Sequence, residues 1–509
     1  MRTCMTLLLL ACPLSSGSAQ AGDYLNLVRR CADTLLEIGR DHYGEVHSPL
    51  FMCVIDAETL NASREMPLHD GLVRTEGRLH RRNLGGCDLW EDQELLKTLY
   101  LLTEKTGDEK YKKAADNATA YFLKNCIKPS TGLLTWGSHI YWDAYTDSPA
   151  GDGDGEGPHE VLIREPEWER MWEVDPQRVR EQIERMWEWH ICDKETGQHN
   201  RHDDKRPGCD FAFSGAEFIY AFAFLSQRTS EPHWEERAKL VMNYHWNARN
   251  KETNLAPDAP ALHDRYDGNH AFTTIPGPHA SLLLRAYELT KDRDYLEVAL
   301  GHLRAYDQYG WDEEAQNYWG MLELNGTPVP EYGDPNTRMR SVHVYDDFQP
   351  VGYVDVWRTV LYSYEMPLIA AQSYAYAAQL SDDPQLKKAV ERWSIVIEKA
   401  LPPKTGRRWK MNLEEALPQI RETGGTYAEN YGRAISFFLE AALVLDRNEL
   451  RVKAEGIARE AIDHLHREDS GLFLGHAAKG TYEATDGVGC LLYALLQLDS
   501  YPEIGPPNF

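Results

Sequence analysis

The chain has 509 residues, 42% of them hydrophobic and 26% charged, which is normal for a globular protein able to bury a large core. Its 80 acidic and 54 basic residues give a formal net charge of -26. Such a balance excludes non-specific attraction to nucleic acid and favours solubility.

At the N-terminus, Arg2 precedes the apolar run Leu7 to Leu10, and Ala19-Gln20-Ala21 has the small-x-small form a signal peptidase needs. The reading is an export signal over 1–21 and a single domain over 22–509, placed in the periplasm or outside the cell. A second reading takes Leu9-Leu10-Ala11-Cys12 as a lipoprotein box with Cys12 acylated. No later apolar run is long enough to span a membrane. The cysteines beyond the signal form no C-x-x-C pair, so they read as buried thiols rather than a disulfide framework or a zinc site.

The first predicted helix, Tyr24 to Gly39, is amphipathic and lacks a hairpin partner. Between Ser48 and Gly86 the chain is irregular and carries Arg74, Arg78, His80, Arg81 and Arg82, a basic loop in an acidic protein. Helical hairpins follow: Asp88 to Lys105 with Asp108 to Asn125, Glu165 to Trp172 with Asp175 to His190, Phe213 to Gln227 with Pro232 to Trp246, and Pro278 to Thr290 with Asp292 to Gln308. Val356 to Leu380 with Pro384 to Leu401, and Tyr427 to Leu445 with Glu449 to His466, complete the series. The turn pattern recurs as LTEKTGDEKYKKA, LTKDRDYLEVA and LSDDPQLKKA, with an acidic residue where it caps the second helix. A last helix, Tyr482 to Leu498, has nothing after it. Pairing it with the orphan at Tyr24 closes a ring, so the predicted fold is all-α, an α/α toroid of six or seven hairpins with seven favoured.

In such a ring the loops leading from each outer helix to the next inner one share a rim. These loops place Trp136, His139, Asn200, His202, His263, Arg265, Tyr266, Tyr318, Trp319, Arg407, Arg408, Trp409 and His476 around one opening. Aromatic faces suit sugar rings and Arg forks suit carboxylates, so the expected partner is an acidic polysaccharide. No dinucleotide fingerprint, P-loop, H-E-x-x-H or G-x-S-x-G motif occurs. The glycine-rich acidic loop Gly151 to Gly157 offers oxygens to Ca²⁺ but does not match an EF-hand. It reads first as a lid, and no cofactor or metal site is expected.

Three kinds of function fit these residues. In β-elimination on a uronic-acid polymer, the site neutralises the carboxylate and a base removes the adjacent proton. Arg265 beside Tyr266, with His263 and His270 near, could lower a phenol pKa, and Asn200 and His202 supply a neutraliser and an imidazole. Tyr345 in RMRSVHVYDD, with Arg338, is the reserve base. A glycoside hydrolase would use two of the many carboxylates, among them Glu160, and a sugar epimerase would use two histidines. A non-catalytic glycan-binding toroid would keep the aromatics without a paired base and neutraliser.

The stretches SPLF near Ser48, TGLLTWGSHIYWDAYTD, HEVLIREPEWERMWEVDP and HICDKETGQHNRH, with the hairpin grammar over most of the chain, resemble secreted α/α-toroid polysaccharide lyases, within them the glucuronan and alginate lyase group. The resemblance implies Asn200 and His202 as carboxylate neutralisers and Tyr266 as base and acid, with His139 and Arg265 assisting. HEVLIREPEW departs from that group's pattern at His159 and Glu160. Trp136, His263, His270, Glu160, Arg338, Tyr345 and Trp409 are the expected substrate-binding residues.

Overall fold

The structure, a computed structural model, describes residues 23–62, 64, 83–137, 139–161, 164–261, 268–330, 351–357, 366–404 and 424–509. Fourteen α-helices lie among them: α1 (Tyr24–Ile38), α2 (Gln93–Thr106), α3 (Glu109–Asn125), α4 (Trp168–Val174), α5 (Pro176–His190), α6 (Ala212–Thr229) and α7 (Pro232–Ala248). The second half comprises α8 (Ala280–Thr290), α9 (Arg293–Gly310), α10 (Pro367–Ser381), α11 (Pro384–Lys399), α12 (Ala428–Leu445), α13 (Asn448–Leu465) and α14 (Val488–Ser500).

Burial sorts these helices into two rings. In α6 every residue from Ala212 to Leu225 is buried, and α10, α12 and α14 are buried over most of their lengths. By contrast, α5 buries one stripe, Val179, Gln182, Ile183, Met186 and His190. Acidic caps are present where four outer helices begin: Asp108, Asp175, Asp292 and Asp383 each accept a backbone N–H in the first turn of α3, α5, α9 and α11, whereas α7 and α13 follow Glu231 and Arg447 with no side-chain cap. Neighbouring inner helices touch in the order α4, α6, α8, α10, α12, α14 and α2, and the Glu167 N–H before α4 donates to Gln93 of α2 at 2.7 Å. The orphan α1 packs on α14, and Thr34 donates to the Ser470 carbonyl at 2.7 Å. The first and last helices thus form the seventh hairpin of an α/α toroid.

Residues 502–509 turn back among α2, α10, α12 and α14. Lys97 donates to the Pro507 carbonyl at 2.8 Å, Arg433 to the Asn508 carbonyl at 3.0 Å, and the Phe509 ring lies 5.6 Å from that of Tyr376. Asn508 is wholly buried, so this tail fills part of the space inside the ring.

Three expectations change. The loops between helices carry short antiparallel strands, including Gly86–Cys87, Ile140–Asp143 and Ser148–Gly151 in one sheet. Thr481–Glu483 is a strand paired with Val54–Asp56, so the last helix begins at Val488 rather than Tyr482. The helix expected from Val356 begins at Pro367, whose ring suits the first helical turn. The seven cysteines among the described residues are free thiols, five of them buried. Among the described residues no helix is long and apolar enough to cross a membrane.

Candidate metal and active site

The site is built where two short extended segments cross. Glu160 pairs with His202 in an antiparallel bridge, and the Val161 N–H donates to the Arg201 carbonyl at 3.1 Å. Two side chains 42 positions apart in sequence therefore lie side by side. His139 arrives from a third segment, just before the strand Ile140–Asp143. Gly137 lets it approach: φ is +101° there, and a Cβ would sit 2.7 Å from the Glu160 carbonyl oxygen.

Buried polar groups behind these segments hold them together. Asp203 is ion-paired with Lys128 at 2.8 Å, both buried, and accepts the His159 N–H at 3.0 Å. His190 donates from Nδ1 to the Asn200 carbonyl at 2.9 Å, so as a neutral ring it accepts at Nε2 from His159 Nδ1, 2.8 Å away. Burial lowers the pKa of both imidazoles, His190 to about 4, which keeps them neutral.

At the crossing, His202 Nε2 lies 3.2 Å from Glu160 Oε1, and His139 Nε2 lies 3.7 Å from Glu160 Oε2. The imidazoles meet edge to face with centroids 5.2 Å apart. Arg201, its guanidinium over the Phe211 ring, forms an ion pair with Glu160 Oε1 across 3.0 Å. Glu160 is completely buried. Burial alone would raise its pKa, but Arg201, His139 and His202 outweigh that and hold it well below the usual carboxylate range. It is a buried carboxylate held toward its ionised form and flanked by two imidazoles.

This is the one group of three metal-ligating side chains that meets among the described residues, its ligand atoms all within 4.8 Å of one another. An ion about 2.1 Å from each ligand requires ligand atoms roughly 3.0 to 3.4 Å apart in octahedral or tetrahedral arrangement. His202 Nε2 and His139 Nε2 lie 3.2 and 3.7 Å from the two different oxygens of Glu160, so the three side chains would have to close up for their ligand atoms to meet one ion. The set of two nitrogens and one carboxylate suits a first-row transition ion better than Ca²⁺, which takes oxygens.

The structure brings together His139, His202 and Glu160 of the residues expected from sequence, and reassigns others. Glu160 has no surface left for a sugar and serves as the charge at the centre. Trp136 is only 1% exposed and packs between Trp90 and Trp168, so it is a core residue rather than a stacking platform. Asn200 turns its amide to Asp204 and the Arg206 carbonyl and accepts the His202 N–H, so it shapes the loop instead of facing a carboxylate. Tyr318 is buried against Trp393 and donates to Asp307, away from the rim. His270 begins a half-buried strand, His270–Phe272, whose backbone pairs with Met321–Glu323. Tyr266, Arg265, His263, Arg338, Tyr345 and Trp409 lie outside the described residues. Sequence reading passed over Arg201 and Asp152. Arg201 stood between two chosen residues, and Asp152 sat in a loop read as a lid.

The chain matches the family described as periplasmic pectate lyase over residues 86–210, the stretch that holds His139, Asp152, Glu160, Arg201 and His202. It is 26% identical over 190 residues to the pectate disaccharide-lyase of Dickeya dadantii (strain 3937), covering 32% of this chain and 35% of that protein. The chain thus spans about a third of the length of that curated relative. Among solved structures, D-mannose isomerase superposes with a TM-score of 0.49 at 9% identity, covering 95% of this chain and 100% of that one. The α-1,6-mannanase from Salegentibacter sp. HEL1_6 gives 0.44 at 11% identity, covering 94% and 100%.

Proposed function

We propose that the chain is a polysaccharide lyase that cleaves a pectate-type uronic-acid polymer by β-elimination, with a divalent cation held by His139, Glu160 and His202. The observation that carries this reading is the ionised Glu160 between two imidazoles and Arg201, lying inside the stretch similar to periplasmic pectate lyases.

β-Elimination removes the proton α to the uronate carboxylate, breaks the bond to the departing glycosidic oxygen and leaves a carbon–carbon double bond. The costly species is the enolate, which carries two negative charges unless the site neutralises one. Held by His139, Glu160 and His202, a divalent cation would supply that positive charge to the substrate carboxylate as a Lewis acid. Glu160 and the two imidazoles hold their places without substrate because Arg201, with the imidazoles, keeps the carboxylate in its charged form against the penalty of burial. Arg201 adds a second positive charge beside the first. Tyr266 remains the proposed base and acid, with Arg265 lowering its pKa and Tyr345 as the alternative. Glucuronan and alginate, the polymers suggested by sequence resemblance, come second to pectate because the matched family is a pectate lyase family.

The test is ultraviolet absorbance of chelator-treated protein with polygalacturonate, glucuronan and alginate, before and after adding Mn²⁺, Co²⁺, Ni²⁺, Zn²⁺ or Ca²⁺. Growth of the unsaturated-uronate absorbance on polygalacturonate, dependent on a transition ion, is the expected result. Reducing ends without absorbance would transfer the reading to a hydrolase. Binding without cleavage of any polymer would transfer it to a glycan-binding protein.

A further inference from the structure

We infer that Asp152, from the loop Gly151 to Gly157, is a positioning residue that sets the tautomer and aim of the metal ligand His139; this rests on the metal reading above. His139 Nδ1 lies 2.6 Å from Asp152 Oδ2. A carboxylate there accepts the Nδ1 proton, leaving the Nε2 lone pair directed toward Glu160, on the side where the ligand atoms converge. Histidines that bind metals commonly carry their other nitrogen proton on such a partner, which orients the ring and makes it a stronger ligand.

The loop is shaped to keep this contact. The Asp152 N–H donates to the His139 carbonyl at 2.8 Å, so backbone and side chain of Asp152 both grip the same residue. Strand pairing places Ile140 opposite Gly151, which delivers the next residue to the foot of His139. Gly151 has φ +108°, and a Cβ there would lie 2.3 Å from the His139 carbonyl oxygen, so only glycine lets the loop come so close. The Gly157 N–H then donates to the Asp152 carbonyl and closes the turn at 2.6 Å. Asp154 and Glu156, the other acids of the loop, are exposed. Of the loop that read as a lid or a Ca²⁺ site, Gly151, Asp152 and Gly157 therefore serve one side chain.

The test is calorimetric titration of Mn²⁺ and Zn²⁺ into the chelator-stripped full chain and into its Asp152→Ala, Asp152→Asn and Asp154→Ala variants, with the melting temperature of each metal-free form. The expected result is a Kd weakened about ten- to a hundred-fold in Asp152→Ala. Asp152→Asn, which keeps an acceptor but not the charge, should fall between, and Asp154→Ala should match the parent. The inference is overturned if the parent binds and Asp152→Ala binds equally well, or if Asp154→Ala weakens binding as much. A parent that binds neither ion overturns the metal reading itself, and this inference with it. Should Asp152→Ala fail to fold, Asp152→Asn alone decides.

Discussion

Two clusters of histidine share this molecule and behave in opposite ways. At the site, His139 and His202 flank an ionised carboxylate and stay partly open. A few residues away begins a sealed row: His199 Nε2 lies 2.9 Å from His245 Nε2, and the rings of His279 and His302 continue it with centroids 5.1 and 5.2 Å apart. All four are buried, and among the described residues no carboxylate forms an ion pair with any of them. The groups that face the row are His190, Tyr244 and Phe218 beside His199, the Ala212 carbonyl beside His279, and Arg249 and Trp246 beside His302. An imidazole next to a carboxylate can take a proton or a cation; one surrounded by other imidazoles and aromatic rings can take neither without loss. The nearest carboxylate, not the histidine, sets the two clusters apart.

The sharpest way to break that contrast is acid. Burial lowers the pKa of His199 to about 3 and of His279 to about 4, and pushes His245 and His302 well below the ordinary value. Their folded values lie under the unfolded value near 6.5, so the stability they contribute is complete above about pH 6.5 and falls away as pH drops toward 4. At pH 5 His199 and His279 should each cost about 2 kcal/mol, from about 1.5 pH units at 1.36 kcal/mol each, and His245 and His302 act in the same direction. Thermal melting at pH 7.5 and at pH 5 should show a large fall, and His302→Phe should make it shallower. An unchanged melting temperature would mean the row takes up protons harmlessly.

Next in size is the other cluster. Glu160→Gln removes the carboxylate and with it the buried ion pair to Arg201, which should lower folding stability by about 4 kcal/mol in a denaturant melt. Metal titration of the same variant should show no tight binding, whereas His245→Phe should bind as the parent does. Trp136 gives a smaller and different effect. As a core residue, Trp136→Ala should lower stability by about 3 kcal/mol in a denaturant melt, and Trp136→Phe should leave KM for the polymer unchanged. A raised KM in the phenylalanine variant would restore the stacking role. Smallest is Asn200→Ala, which should cost about 1–2 kcal/mol through lost loop hydrogen bonds and reduce kcat less than His202→Ala, the reverse of what a carboxylate neutraliser would do.

Most of the fold was readable because hairpin periodicity repeats. Each acidic cap at Asp108, Asp175, Asp292 and Asp383 marks an outer helix, and the unpaired helices at the two ends announce closure. What escaped was made by contacts with no local signal. Thr481–Glu483 became a strand only because Val54–Asp56, far away in sequence, lies against it. The site was half legible for the same reason. His139 and His202 were chosen as polar rim residues, but Glu160 gains its charge from Arg201, and Arg201 reaches it only across the bridge between residues 160 and 202. Trp136 and Asn200 were misassigned because residue type cannot tell a side chain facing the cleft from one turned into the core or folded onto its own loop.

The seventh hairpin differs from the other six in having no turn. The Arg451 guanidinium lies 5.3 Å from the Tyr501 ring, and the same arginine acts on the Tyr24 phenol, so the two helices end near one another on the side away from the rim. Residues 502–509 leave the end of α14 and fill the inside of the ring, so they belong to its packing. A circular permutant that opens the short turn between α6 and α7 and joins Phe509 to α1 through a linker, so that residues 502–509 keep their place inside the ring, should fold to the same toroid with the site unaltered.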